Sequence, residues 1–317
     1  MAIRKLYLDG KYEDQINSLK NQVNSSGIFF DLVNDFIVSD IYIAFDLVDK
    51  FNLNYPTRHK IIKVLIRQEP KIISPETYKE KNITNFDYII DIGKANLGKF
   101  DIINWPQNLT SYINELHSKQ DRIIMVNSNL LSLAKNENYS LRRCLIGNIE
   151  NLDLYGHQWN NSFHRKIKAL LIEFKNQIFN MQKIRISGLK YFFRYNSNYL
   201  GEVGDKRAVM VKYKYCLVIE NSSEYLSEKL FDALLSGCIP IYVGPDLTKY
   251  EIPTNLYLQA KPNLVDVRAK ISDAKKVNFN EWRKNLNLWL SSPKTYEDWS
   301  QDLFLKKIMR IIEKCHQ

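Results

Sequence analysis

Apolar positions along this chain come in two spacings. Short unbroken runs of β-branched and aromatic residues read as buried strands, and stretches apolar at every third or fourth position read as helices. In the first third the runs are 3–8 (IRKLYL), 40–47 (DIYIAFDL), 60–68 (KIIKVLIRQ) and 86–92 (FDYIIDI), with helical or loop segments such as 13–22 and 77–81 between them. Strands alternating with such segments predict a layered α/β domain. The pattern restarts near Asp121, with a strand over 122–126, a polar loop Asn127, Ser128, Asn129, a helix over 139–146 and a short strand over 152–155 that runs into Gly156. A basic and aromatic stretch over 165–193 follows, helical as far as 182. The tail, 296–314, spaces Leu303, Phe304, Ile308, Ile311 and Ile312 as an amphipathic helix. The expected organisation is a domain over 1–120, a second over 121–295, and a closing helix over 296–317 able to pack back on the first.

The densest signal is 213–246, YKYCLVIENSSEYLSEKLFDALLSGCIPIYVGPD. Residues 215–219 read as a strand and 220–225 as a polar loop at its carboxyl end. Ser227 is the expected N-cap, with Glu228 in the first turn. Leu230, Phe231, Ala233, Leu234 and Leu235 supply the apolar face of a helix, Gly237 its stop, and 239–243 a second strand. Strand, loop, helix and strand of this length predict a parallel βαβ unit. Ligands of open α/β sheets sit at the carboxyl ends of the strands, where helix N-termini favour phosphate. Lys229 opposes the dipole of the helix it begins, so it suits an anionic ligand better than it suits the helix. The alternative is that Asn221 is a turn residue and Glu228-Lys229 a solvated helix start.

This stretch resembles the donor-binding signature of the α1,3/α1,4-fucosyltransferases. Tyr213, Lys214, Tyr215, Glu220-Asn221-Ser222, Tyr225, Glu228-Lys229, Gly237, Ile239-Pro240-Ile241 and Gly244 stand at its positions, with Tyr215 for the usual Phe and Ser227 for the usual Thr. Fainter likeness extends to 122–129 (RIIMVNSN), 152–156 and 60–70. The resemblance implies an α/β fold of GT-B architecture, two Rossmann-like domains facing a central cleft, with the donor held by the second. It implies an inverting transfer of L-fucose from GDP-fucose, leaving GDP, to O3 or O4 of GlcNAc or Glc in an oligosaccharide or glycolipid acceptor such as lipopolysaccharide O-antigen. It implies donor contacts from Lys229, Glu228, Asn221, Tyr225 and Ser222, and a diphosphate contact from an arginine. Arg194, in YFFRYNSNYLG, is the first choice for that arginine, while Arg142 and Arg143 on the earlier helix read as structural. Lys206, in GEVGDK, stands where the family has a lysine, with no role assigned.

Glycosyl transfer with inversion needs a base for the acceptor hydroxyl and stabilisation of the departing diphosphate. Glu69 is the choice for the base. It follows the clearest strand of the first half and precedes Pro70, and the family carries a glutamate at the end of this strand. To work near neutrality its pKa must be raised. The alternative is an ordinary loop carboxylate or an ion-pair partner of Arg67. No Asp-x-Asp stands at a strand end in a convincing context, so no metal and no cofactor is expected, and the leaving group falls to Lys229.

Charge and cysteine content narrow the partners. The net charge of +10 favours anionic ligands. The basic residues are dispersed, with no zinc-finger spacing or RNA-binding aromatic motif, so nucleic acid is not expected. A nucleotide-sugar donor fits, and so does peripheral contact with an anionic glycolipid surface. The four cysteines, 144, 216, 238 and 315, lack metal-ligand spacing. The opening MAIRKLYLDG has no signal-peptide core. A cytoplasmic location, at most at the inner face of the cytoplasmic membrane, is expected. His157, beside Gly156, reads as a surface or packing residue. Two competing readings remain: the same architecture with another nucleotide sugar, and a non-catalytic glycan- or nucleotide-binding protein on this scaffold.

Overall fold

The computed structural model describes residues 4–10, 16–17, 19–21, 30–47, 60–94, 101–111, 118–134, 136–146, 148–159, 163–179 and 198–314. The chain divides into two compact units, one formed by Met1–Asn108 with Glu297–Gln317 and the other by Leu109–Tyr296.

In the first unit β1 (Arg4–Gly10), β2 (Phe30–Leu32), β3 (Ile41–Phe45), β4 (Ile62–Arg67), β5 (Tyr88–Ile92) and β6 (Asp101–Ile103) form one sheet. Its order is β2-β1-β3-β4-β5-β6 and every pairing is parallel. A parallel sheet is covered on both faces, and β3 is buried at all five positions. Ile41, Ile43 and Phe45 join Val64, Ile66 and Ile90 in one core cluster, while Tyr42 and Ala44 join Leu65 and Phe36 in another. The first cluster is completed by Phe304, Leu305, Ile308 and Met309 of the helix Phe304–Lys314. The tail is not one continuous helix. It breaks between Pro293–Trp299 and Phe304–Lys314, because the backbone around Ser300 pairs with Gln107. Gln107 N donates to Trp299 O at 2.7 Å, and Gln301 N donates to Gln107 O at 2.9 Å. Those groups are no longer available to a helical ladder. The strands β2 and β6, three residues each, are too short to leave a periodic signal.

In the second unit β7 (Gln120–Val126), β8 (Leu152–Tyr155), β9 (Tyr213–Ile219), β10 (Ile239–Val243) and β11 (Leu258–Gln259) are parallel, in the order β11-β10-β9-β7-β8. From β7 the chain steps outward to β8, then returns to build β9, β10 and β11 on the other side of β7. The order reverses between β7 and β9, and the crevice beyond their carboxyl ends is the favoured ligand position in such sheets.

The βαβ unit forms as the spacing requires. The helix Lys229–Leu235 buries every residue after Lys229, and β10 pairs with β9 in parallel from Ile239 opposite Tyr215. Gly237 adopts φ +65°, and Cys238 N and Gly237 N donate back to Ala233 O and Leu234 O at 2.9 Å each, which ends the helix. The helix begins one residue later than expected. Glu228 occupies the cap position with helical backbone and no side-chain cap bond, while the Ser227 hydroxyl donates to Glu220 and accepts from Lys229 N at 3.4 Å, so the serine still caps the helix start. Further on, Leu264–Ala274 and Phe279–Leu290 are helices, each with an asparagine N-cap, Asn263 and Asn278.

At the opposite end of this sheet the Lys119 ammonium donates to Val211 O, Ser236 O and Tyr213 O at 2.7, 2.8 and 3.2 Å. It ties the segment leading into β7 to the C-terminal ends of Lys206–Met210 and Lys229–Leu235, where orphan carbonyls favour a cation.

Candidate active site

The loop after β9 is organised by Glu220, which is wholly buried. Its Oε1 accepts from Ser227 N at 3.0 Å and its Oε2 from Ser227 Oγ at 2.6 Å. A buried carboxylate demands a cation, and Lys229 supplies it, with Nζ at 3.4 Å from Glu220 Oε2 and 2.8 Å from Ser227 Oγ. The lysine is therefore folded over the carboxyl end of β9, with 18% of its side chain exposed. An ammonium carries three donors and two are engaged here, so a third is left for a ligand.

Glu228 is the next acidic group. Lys206 Nζ donates to its Oε1 at 3.1 Å, and Lys229 Nζ lies 4.0 Å from the same atom. Burial raises the Glu228 pKa, but Lys229 and Lys206 together outweigh it and hold the carboxyl down at about 2. It is ionised at any physiological pH and acts only as an acceptor.

The segment after β7 contributes Arg142. The helix Tyr139–Ile146 carries it inward, and it is 1% exposed. Its Nη2 donates to Ile219 O at 2.7 Å and to Asn221 Oδ1 at 2.9 Å, and its Nη1 to Ser128 O at 3.3 Å. One guanidinium thus joins the loops that follow β7 and β9 across the switch point. Burial lowers its pKa to about 10, which leaves it a cation. Its buried Nε has no hydrogen-bond partner among the described residues. Arg143 turns the other way, to Leu130 O at 2.8 Å and Asn129 Oδ1 at 3.3 Å, and is structural as expected from its position.

The remaining loop residues are tied in. Asn221 O accepts from Asn138 N at 3.0 Å, Ser222 pairs with Glu137 through the backbone, and Tyr225 is 2% exposed. Beside them the Asn127 loop is closed by backbone contact. Gly156 follows β8 at φ +130°, where a Cβ would stand 2.2 Å from Asn127 O, and Trp159 Nε1 donates to that same oxygen. Only glycine fits there.

The structure thus brings Lys229, Glu228, Asn221, Ser222 and Tyr225 together at the end of β9. Arg194 lies outside the described residues. In the sequence Glu220 reads as one polar loop residue and Arg142 as structural; the structure buries both, and Arg142 ties the loops after β7 and β9 together. The only signal for Glu220 was an acidic residue directly at the end of a buried strand. Arg142 left none, because its partner Asn221 is far along the chain.

Glu69 belongs to the first unit and is described there. It follows β4 and is half-buried. Its N–H donates to the Asp46 carboxylate at 3.1 Å to Oδ2, and its carbonyl accepts from Tyr78 OH at 2.7 Å. Asp46 is itself buried in a left-handed conformation, φ 53°, which aspartate tolerates better than most residues. Arg67 gives Nε and Nη2 to the two oxygens of Asp91, each at 2.7 Å, and Lys94 reaches Asp91 at 2.7 Å. Both cations lie over the Tyr78 ring, at 4.8 and 4.4 Å from its centroid.

Comparisons with known proteins bear on the family and the fold. The family model described as "Glycosyltransferase family 10 (fucosyltransferase) C-term" matches residues 116–310. Alpha-(1,3)-fucosyltransferase 4 of Bos taurus is 39% identical over 54 residues, which is 16% of this chain and 14% of the bovine protein. The match thus spans only a small part of that relative's length. Among solved structures, an alpha-glucosyltransferase in complex with UDP and a 13-mer DNA is similar with TM-score 0.60 and 9% identity, over 99% of this chain and 100% of that one. A crystal structure of alpha1,3-fucosyltransferase has TM-score 0.49 and 14% identity, over 98% of this chain and 90% of its own. At such identities the glucosyltransferase likeness is one of fold, the GT-B pair of parallel α/β units.

Proposed function

The chain belongs to glycosyltransferase family 10, the fucosyltransferases, and from that membership we propose that it transfers L-fucose from GDP-fucose to a glycan hydroxyl with inversion. The observation that carries the reading is the cation pair at the switch point. Lys229 and Arg142, one from the segment after each of β9 and β7, each keep a donor that the described residues do not use.

Each residue then has a physical task. As the bond from sugar to diphosphate breaks, negative charge collects on the leaving oxygens, and Lys229 and Arg142 stabilise it without a divalent cation. Glu228, held ionised, accepts from the ribose hydroxyls. Asn221 has its Oδ1 turned to Arg142, so its amide nitrogen is the donor left for a sugar or phosphate oxygen. Ser222 and Tyr225 shape the loop around them. Glu69 takes the proton of the attacking hydroxyl. Asp46 and Tyr78 hold its backbone at both ends of the residue, so the carboxylate starts from a fixed base. The acceptor in this reading is an oligosaccharide or glycolipid, with O3 or O4 of GlcNAc or Glc as the nucleophile, as in a lipopolysaccharide O-antigen made at the inner face of the cytoplasmic membrane.

A donor panel tests the proposal. Purified protein is incubated with GDP-fucose and with other nucleotide sugars, each with and without a chelator. GDP release from GDP-fucose, unaffected by chelator, is expected. Turnover of another sugar while GDP-fucose is inert removes the donor assignment. Loss on chelation with recovery in manganese removes the cation-free mechanism. GDP-fucose bound without turnover on any acceptor favours a binding protein.

A further inference from the structure

Lys206 has no part in the reaction as described, yet it touches the acidic residue at the centre of the proposed donor site. It opens the short helix Lys206–Met210, capped by Asp205, whose Oδ1 accepts from Arg207 N at 2.9 Å and Ala208 N at 3.2 Å. Its Nζ donates to Glu228 Oε1 at 3.1 Å and lies 3.6 Å from Asp232 Oδ2. Arg207 Nε reaches Asp232 Oδ1 at 3.0 Å. Asp232 is 8% exposed, so it anchors the short helix on Lys229–Leu235 and delivers the lysine to Glu228 from a framed position.

The geometry sets up a competition. Glu228 Oε1 stands between two ammonium groups, bonded to Lys206 and 4.0 Å from Lys229. Lys229 already serves Ser227 and Glu220. Without Lys206, the nearest cation to Glu228 is Lys229, and attraction across that gap is strong beside a buried carboxylate. Closing it would engage the last ammonium donor and turn the carboxylate inward.

We propose that Lys206 is a positioning residue that holds the Glu228 carboxylate off Lys229, leaving the carboxylate for the ribose and the ammonium for the diphosphate. The inference rests on the donor reading of this loop and adds a third residue to its pair of lysine and glutamate. Lys206 keeps 41% of its side chain exposed, so it fills no core volume. Its removal acts through charge and hydrogen bonding.

GDP affinity by calorimetry and donor KM are measured for the native protein, Lys206→Met, Glu228→Gln and the double variant. Lys206→Met is expected to weaken GDP binding about tenfold and to raise donor KM in proportion, the scale of one charged hydrogen bond. In the Glu228→Gln background the same change is expected to cost at most about twofold, since a neutral amide no longer competes for Lys229. Lys206→Arg is expected to restore most of the affinity. An equal loss in both backgrounds, as a purely architectural role through Asp232 would give, overturns the proposal, and so does the absence of loss in the native background. If Lys206→Met does not fold, Lys206→Gln takes its place in the same cycle. Lys229→Ala is measured alongside. If it leaves GDP binding intact, the donor reading falls and this inference with it. If it abolishes binding while the Lys206 effects simply add, the inference alone fails.

Discussion

At the end of β4 a guanidinium, an ammonium and a carboxylate close on one another, whereas at the end of β9 the cations are only partly spent. In the first unit Arg67 and Lys94 both bind Asp91, and both sit on the Tyr78 ring. The Tyr78 hydroxyl and Asp46 in turn hold the backbone of Glu69. The charge there is used to fix one loop. In the second unit Glu220 and Glu228 engage Lys229 and Lys206, but among the described residues a donor on Lys229 and the Nε of Arg142 have no partner. A cation that keeps a donor after its acidic neighbours are satisfied can serve as a binding group, and one gathered with its carboxylate against an aromatic ring serves the frame.

Four substitutions probe that contrast. The largest effect is expected from Glu69→Gln, which should cut transfer by about 10²–10⁴-fold, the range for a lost general base, while GDP affinity stays at the native value. Retained transfer would take Glu69 out of the reaction. Asp91→Asn should destabilise the first unit by about 3–5 kcal/mol, because it strands the buried Arg67 and the partly buried Lys94. Denaturant unfolding reads this, and a loss under 1 kcal/mol would show that the pair is not the frame proposed here. Lys229→Ala should weaken GDP binding about tenfold to a hundredfold and also lower the unfolding midpoint, because it leaves the buried Glu220 carboxylate without its cation, whereas Asp91→Asn should act on stability alone.

The smallest effect concerns pH. Glu228 is held near a pKa of about 2, below its unfolded value, so its contribution to stability is complete above the unfolded pKa and is lost only as pH falls through the folded one. Glu228→Gln should therefore lower kcat/KM without moving the midpoint of the acidic limb of the rate profile. A shifted midpoint would mean that Glu228, and not a base elsewhere, sets that limb.

Much of the fold could be read from one dimension, because strand runs and helix spacing are local. The runs that became β3, β4, β5, β7, β8, β9 and β10 were visible as buried apolar segments, and Gly237 announced the end of a helix through its left-handed backbone. The three-residue strands and the two-residue β11 were not visible, since so few residues carry no period. The break at Ser300 depended on Gln107, nearly two hundred positions earlier.

The order of residues along the chain determined the βαβ unit, the acidic-amide loop after its first strand, and the lysine that begins its helix. Local spacing and side-chain chemistry suffice for those. Tertiary structure alone decided that Glu220 is wholly buried, that Arg142 spans the loops after β7 and β9, and that Lys206 stands against Glu228. Each of these rests on a partner reached only by packing, and the strength of a charge depends on what surrounds it, which no stretch of sequence carries by itself.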